Sequence, residues 1–111
     1  QETKLVSITR ADIAPGYQVV QSAHSIADFA AQFPQEFSKW KIESNSIICL
    51  SVKDEQELHK LYEKLQKQDV CMVKFFEPDI NADTSICIYG TTDVRKKLSG
   101  LPLSLKKLSA V

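Results

Sequence analysis

Four polar side chains near the start of the chain have types and spacing suited to chemistry. Tyr17, Gln21, His24 and Asp28 stand at i, i+4, i+7 and i+11. On a helix turning 100° per residue they fall within about 60° of one another, away from an arc of Val19, Ala23, Ile26, Ala27 and Ala30. An imidazole moves protons near neutral pH, a phenol donates a hydrogen bond, and a carboxylate accepts one or orients a water. The same pattern equally describes a solvated face, on which His24 and Asp28 form an i, i+4 pair worth a few tenths of a kcal/mol. His24 has no second ligand at a suitable spacing, so no metal site is expected. His59 falls on the exposed edge of a later helix and reads as a surface residue.

A second group is Glu77-Pro78-Asp79, followed by Asp83 and Thr84. Two carboxylates beside a rigid proline could orient a water or accept a proton. They could equally form an ordinary turn. A third group is basic: Arg95, Lys96, Lys97, Lys106 and Lys107. These side chains suit phosphates, or the carboxyl end of a helix dipole. A GxSxG elbow, a P-loop and a GxGxxG turn are all missing, which removes the usual hydrolase and nucleotide signatures.

The elements that must position these groups follow from periodicity. Lys4 to Arg10 is β-rich and forms a first strand; Pro15-Gly16 turns the chain into a helix running to about Phe33. Pro34 ends that helix or opens a short second one carrying Glu36, Phe37 and Trp40. Ser46 to Val52 is a continuous apolar run, the kind buried on both faces of a sheet. Asp54 with Glu57 three residues on makes a capping box for a helix whose Leu58, Leu61, Tyr62 and Leu65 share one face. Cys71 to Phe76 and Thr84 to Tyr89 are two more strands, and Asp93 caps a last short helix that stops at Gly100.

Two strand–helix–strand units imply three parallel strands with right-handed crossovers. The short link between the last two strands forces the fourth to run antiparallel. The expected fold is therefore an α/β three-layer sandwich, a four-stranded mixed sheet of three parallel strands with the last antiparallel, and helices on both faces. Ligands in such sheets gather beyond the carboxyl ends of the parallel strands, where Ala11 to Gln21, Val52 to Glu57 and Glu77 to Thr84 should meet.

The bulk numbers set bounds on these readings. A chain of 111 residues fits one domain, residues 1–111, with apolar content sufficient for an unstapled core. Its 14 basic and 14 acidic residues cancel, which disfavours a nucleic-acid grip by the whole domain. The three cysteines are odd in number and unpaired by spacing, so they are read as small hydrophobes of a reducing, cytoplasmic compartment. The longest apolar run is far short of the roughly 20 residues a bilayer needs, and no membrane partner is expected.

The segment from Pro15 to Ser25, with Gly16, Gln21 and His24, resembles the first-helix motif of the type-2 peptidyl-tRNA hydrolases, roughly G-K-x-A-A-Q-x-x-H-A. The Trp40 region, the apolar strand at Ile47 to Val52 and the helix start at Asp54 to Leu58 are similar too, so the likeness spans most of the chain. The resemblance implies a mixed four-stranded sheet and cleavage of the ester joining peptide to tRNA, with no metal or organic cofactor. It implies catalytic roles for His24, Asp79, Thr84 and Tyr17, and substrate contacts from Gly16, Gln21, Glu77, Lys96 and Lys97. Either Glu77 or Asp79 stands for the family's later Asp. One departure is plain: Tyr17 occupies the position of the family's catalytic Lys, and a phenol is neutral where an ammonium is charged. The implied partners are tRNA or peptidyl-tRNA, and a homodimer is compatible with the pattern. The alternative is an inactive RNA- or protein-binding module of the same fold.

Overall fold

The structure is a computed structural model that describes residues 2–106. Its elements run β1 (Lys4–Arg10), α1 (Pro15–Gln32), α2 (Pro34–Glu43), β2 (Ile47–Val52), α3 (Glu55–Gln66), β3 (Met72–Glu77), β4 (Ala82–Gly90) and α4 (Thr92–Lys96). The local signals explain most of these limits. Asp54 accepts the Glu57 N–H at 3.0 Å and caps the start of α3, the Glu57 carboxylate pairing with Lys60 at 3.2 Å. Pro15 and Pro34 each stand in a first helical turn, where a missing N–H costs nothing. The last helix is capped by Thr91, not Asp93: the Thr91 hydroxyl accepts the Val94 N–H at 3.3 Å.

The four strands form one mixed sheet in the order β2-β1-β4-β3. Only β1 and β2 pair in parallel, while β4 is antiparallel to both β1 and β3. The expectation of three parallel strands is thus corrected. β4 is inserted between β1 and β3, so the second strand–helix–strand unit skips a position and leaves a single parallel pair. The short turn after Glu77 fixes β3 beside β4 in antiparallel sense. β4 takes the centre because Thr84 through Ile88 are buried without a break. β2 is an edge strand, not one buried on both faces: Ile47 is 49% exposed. Its outer edge is partly covered by the chain after α4, with Ser51 N–H donating to Pro102 O and Ser104 N–H to Cys49 O.

The helices lie on both faces and each face has its own core. Beneath α3, Leu58 and Leu65 pack on Val6, Ile8, Ile86 and Ile88. Fully burying such a side chain contributes roughly 1.5–3 kcal/mol. Beneath α1 and α2, Phe29 and Trp40 pack on Leu5, Val73 and Cys87. Trp40 also donates its indole N–H to Ser46 O at 2.7 Å, which ties α2 to the start of β2. No helix of the described residues is long and apolar enough to cross a membrane.

The side of α1 that meets the sheet is mostly not the expected one, although Ile26 of the expected arc does pack against the core. Gln18, Gln21, Ser25 and Phe29 are its buried residues, whereas Val19, Ala23 and Ala27 face outward. A polar helix face can be buried because the sheet beneath it is polar too. Ser7 Oγ lies 2.6 Å from Ser22 Oγ, and Ser85 Oγ donates to Gln21 O at 2.8 Å. Buried polar groups are tolerated when paired in this way.

Candidate functional site

The ends of β1, β2 and β3, the start of β4 and the openings of α1 and α3 come together at one end of the sheet, as the sequence led us to expect. The centre of that end is a buried hydrogen-bonded chain. Thr84 donates its hydroxyl to Gln21 Oε1 at 2.5 Å, and Gln21 Nε2 donates to Glu77 Oε1 at 2.8 Å. Gln21 and Thr84 are fully buried and Glu77 is 7% exposed. The other Glu77 oxygen accepts the Asp79 N–H at 3.1 Å. The Gln21 amide and then the Asp79 N–H stabilise the Glu77 carboxylate and hold its pKa below the ordinary 4.5. Glu77 is therefore ionised at neutral pH and acts as a fixed acceptor.

Around this chain stand the more exposed groups. Partial desolvation, and then the charges of Glu77 and Asp79, raise the Tyr17 hydroxyl above its usual value, so it remains a neutral O–H donor. His24 is exposed and stacks its ring on Phe75 of β3, with centroids 4.6 Å apart and planes 11° apart. Its positive form would further favour the ionised Glu77. Asp79 is exposed in the turn between β3 and β4. Gly16 lies in the first turn of α1, whose N-terminus has no side-chain cap and no acidic residue. Its unpaired N–H groups make that end electropositive.

The expected stripe on α1 is therefore split. Gln21 turns into the sheet, while His24 and Asp28 are exposed. Tyr17, Gln21, His24, Glu77, Asp79 and Thr84 are nonetheless brought to one region, with Glu77 linking them. Lys96 and Lys97 are not part of it. They are exposed at the end of α4, which follows Gly90 at the far end of β4. At about 3.3 Å per strand residue, that end is on the order of 20 Å from Thr84. Arg95, in the same basic run, is engaged by backbone, donating to Gly90 O at 2.6 Å and to Glu2 O at 2.7 Å. Lys107 lies outside the described residues.

Several charged residues at the site escaped the sequence reading. Arg10, at the end of β1, grips Asp12 through two bonds of 2.9 Å and donates to Asp83 O at 3.2 Å. That contact braces the start of β4 beside Thr84. His59 is not a free surface residue, because its Nε2 lies 2.7 Å from Asp83 Oδ2. Glu55 accepts the Asp83 N–H at 2.9 Å, and Lys74 Nζ is 3.3 Å from the Asp83 carboxylate. Glu55, His59 and Asp83 offer ligand atoms within 4.8 Å of one another. The Lys74 ammonium already supplies a positive charge to Asp83, so the group is an ion-pair knot pinning the hairpin to α3. The only legible hint was the capping box, which fixed Glu55 and His59 one turn apart.

Comparison with known proteins gives this geometry a setting. Residues 3–100 match the family model described as Peptidyl-tRNA hydrolase PTH2. Among solved structures, the fold is similar to a protein of unknown function, Atu0240, from Agrobacterium tumefaciens strain C58. The TM-score is 0.65 with 16% identity, over 93% of this chain and 98% of that one. At that identity the likeness concerns the fold alone. No curated protein matches the chain. The family match covers every strand and helix described above, and the chain belongs to the PTH2 family of peptidyl-tRNA hydrolases.

Proposed function

We propose that this chain hydrolyses the ester between a peptide and tRNA at the end of the sheet where Tyr17, His24 and Asp79 surround Glu77. The observation that carries this reading is the buried Thr84–Gln21–Glu77 chain in a member of this family. A buried carboxylate held by two N–H donors is more than a turn requires, and such preorganisation is typical of sites that position a reactant. Ester hydrolysis needs an oriented water and donors for the developing oxyanion. Glu77 holds the network charged and fixed. Asp79 or His24 orients the water and accepts its proton, which leaves with the ribose hydroxyl after the acyl–oxygen bond breaks. The Tyr17 hydroxyl, which lies within hydrogen-bond reach of Glu77, and the uncapped N–H groups near Gly16 would be the donors to the carbonyl oxygen. Thr84 acts through Gln21, because its own hydroxyl is occupied. Lys96, Lys97 and Lys106 would touch the tRNA backbone farther from the ester.

One observation favours a second reading, a binding module without turnover. Tyr17 brings no positive charge to a cluster with two carboxylates, so phosphate recognition there lacks its usual cation. Purified protein mixed with a peptidyl-tRNA decides between them. Release of free peptide above the buffer rate, lost in His24→Ala and Asp79→Asn, supports hydrolysis. No release from a folded sample refutes it. In that case tRNA binding at two salt concentrations tests the module, since phosphate contacts weaken steeply with salt.

A further inference from the structure

Side chains of α1 and β3 meet in successive pairs on one side of the sheet. Gln21 donates to Glu77 at 2.8 Å, and about one helical turn on, His24 lies against Phe75. Farther along, Phe29 and Val73 belong to one core cluster. The pairing is regular because residues three or four apart share a helix face and residues two apart share a strand face. β3 keeps that alternation through an irregularity in the sheet. Phe75 pairs with Ser85 and Phe76 with Asp83, so the extra residue, Thr84, belongs to β4. Phe75 and Glu77 therefore both face α1, and the His24 ring stands beside the Glu77 network.

His24 and Phe75 stack face to face, with centroids 4.6 Å and planes 11° apart. An exposed histidine has several rotamers open to it, and a stack on a half-buried ring of another element selects one. A reactive histidine is often oriented instead by a hydrogen bond at one ring nitrogen, as the carboxylate provides in a Ser-His-Asp triad. Such a bond occupies that nitrogen. Phe75 lies against a ring face, so it takes neither Nδ1 nor Nε2, and His24 remains exposed. The imidazole is also near enough to Glu77 for its positive form to favour the carboxylate.

We propose that Phe75 is a positioning residue, whose stack sets the plane of His24 so that an imidazole nitrogen takes the proton of the attacking water. This rests on the hydrolytic reading above and assigns the water to His24 rather than Asp79. As the water oxygen bonds to the ester carbonyl carbon, one of its protons passes to the imidazole. That proton moves on to the ribose oxygen when the acyl–oxygen bond breaks, and the ring ends neutral, as it began. The second water proton stays on the new carboxyl group and is lost to solvent. Phe75 touches no reacting atom. Its ring face also attracts the imidazolium formed between the two transfers.

Two variants of the full chain test this. Phe75→Leu keeps an apolar side chain but removes the ring face, and Phe75→Tyr keeps the face. In proton NMR spectra, the His24 ring protons of the wild type should lie upfield of those of free histidine at the same pH. That shift should persist in Phe75→Tyr and vanish in Phe75→Leu. With a peptidyl-tRNA as substrate, Phe75→Leu should lower kcat roughly fivefold, the scale of one stacked aromatic contact, with KM within about twofold. Phe75→Tyr should retain most of the wild-type rate. A wild type that turns over and is unaffected by Phe75→Leu overturns this proposal and leaves hydrolysis standing. So does a Phe75→Tyr that keeps the upfield shift yet is as slow as Phe75→Leu, or a wild type that lacks the shift. A wild type without turnover, whatever its ring-proton shifts, overturns hydrolysis, and the role of Phe75 falls with it.

Discussion

Replacing Thr84 by Val tests whether the buried chain is a working network. The two side chains are nearly isosteric, so packing around a fully buried position is kept while one hydroxyl is removed. The loss has two parts. The hydrogen bond to Gln21 Oε1, 2.5 Å long, contributes about 1 kcal/mol net, and leaving that buried oxygen without a donor costs about 1–3 kcal/mol. The expected destabilisation is about 2 kcal/mol, allowing for overlap between the two. In a chain of this length that corresponds to roughly 10 °C in melting temperature. Urea unfolding should show a lower midpoint with an unchanged slope, since the surface exposed on unfolding is the same. The decisive measurement is the same substitution in a Gln21→Met background, where the acceptor is already gone. There Thr84→Val should cost almost nothing, giving an interaction energy of about 2 kcal/mol. Thr84→Ser, which keeps the hydroxyl, should retain most of the coupling. A cost below about 0.5 kcal/mol, or an equal cost in both backgrounds, would refute the network.

Other perturbations probe the neighbouring groups. Glu77 has a depressed pKa when folded, so it contributes stability that is present above about pH 4.5 and is lost as the pH falls through its folded value. Glu77→Gln should flatten the acid limb of a stability–pH curve over that window; an unchanged limb would contradict the assignment. Asp12, whose carboxyl is held low chiefly by its bond to Arg10, works in the same direction and should keep part of the limb in that variant. His59→Ala should cost less than about 1 kcal/mol in thermal unfolding, because the imidazole is 43% exposed. Cys87 is fully buried and its thiol is pushed up to about 12, so native alkylation counted by mass spectrometry should stop at Cys49 and Cys71. A third label under native conditions would show that the core beneath α1 opens.

The sequence revealed local structure better than it revealed facing. β1 matched residue for residue, and the Asp54–Glu57 box gave the start of α3, because both signals are contained in a few neighbours. The position of β4 between β1 and β3 depends on distant partners. Its trace in the sequence is indirect: β3 carries an exposed Lys74 and Phe76 and β2 an exposed Ile47, as edge strands do, whereas β4 is buried from Thr84 to Ile88. The apolar run at Ile47 to Val52 gave no warning of this. Its outward side is bordered by a groove, not covered by a helix.

The misreading of α1 follows from the same limit and bears on function. Hydropathy assigns Val19, Ala23 and Ala27 to the core and Gln21 to solvent, and the fold reverses both assignments, burying Gln18 and Ser25 beside Gln21. The reversal is stable only because the strands beneath supply Ser7, Thr84, Ser85 and Glu77 as partners. A glutamine fully buried against a carboxylate and a threonine is poorly explained by packing, since apolar residues of similar volume would avoid the desolvation cost. Burial of Gln21 thus argues for a site more strongly than a solvated stripe would have. Its amide is bonded to both Glu77 and Thr84, so in the proposed function Gln21 would act by holding these two groups in register. In the proposed function the groups left to meet the substrate are Tyr17, His24 and Asp79, and the reaction would rest on what a neutral phenol can do beside two carboxylates.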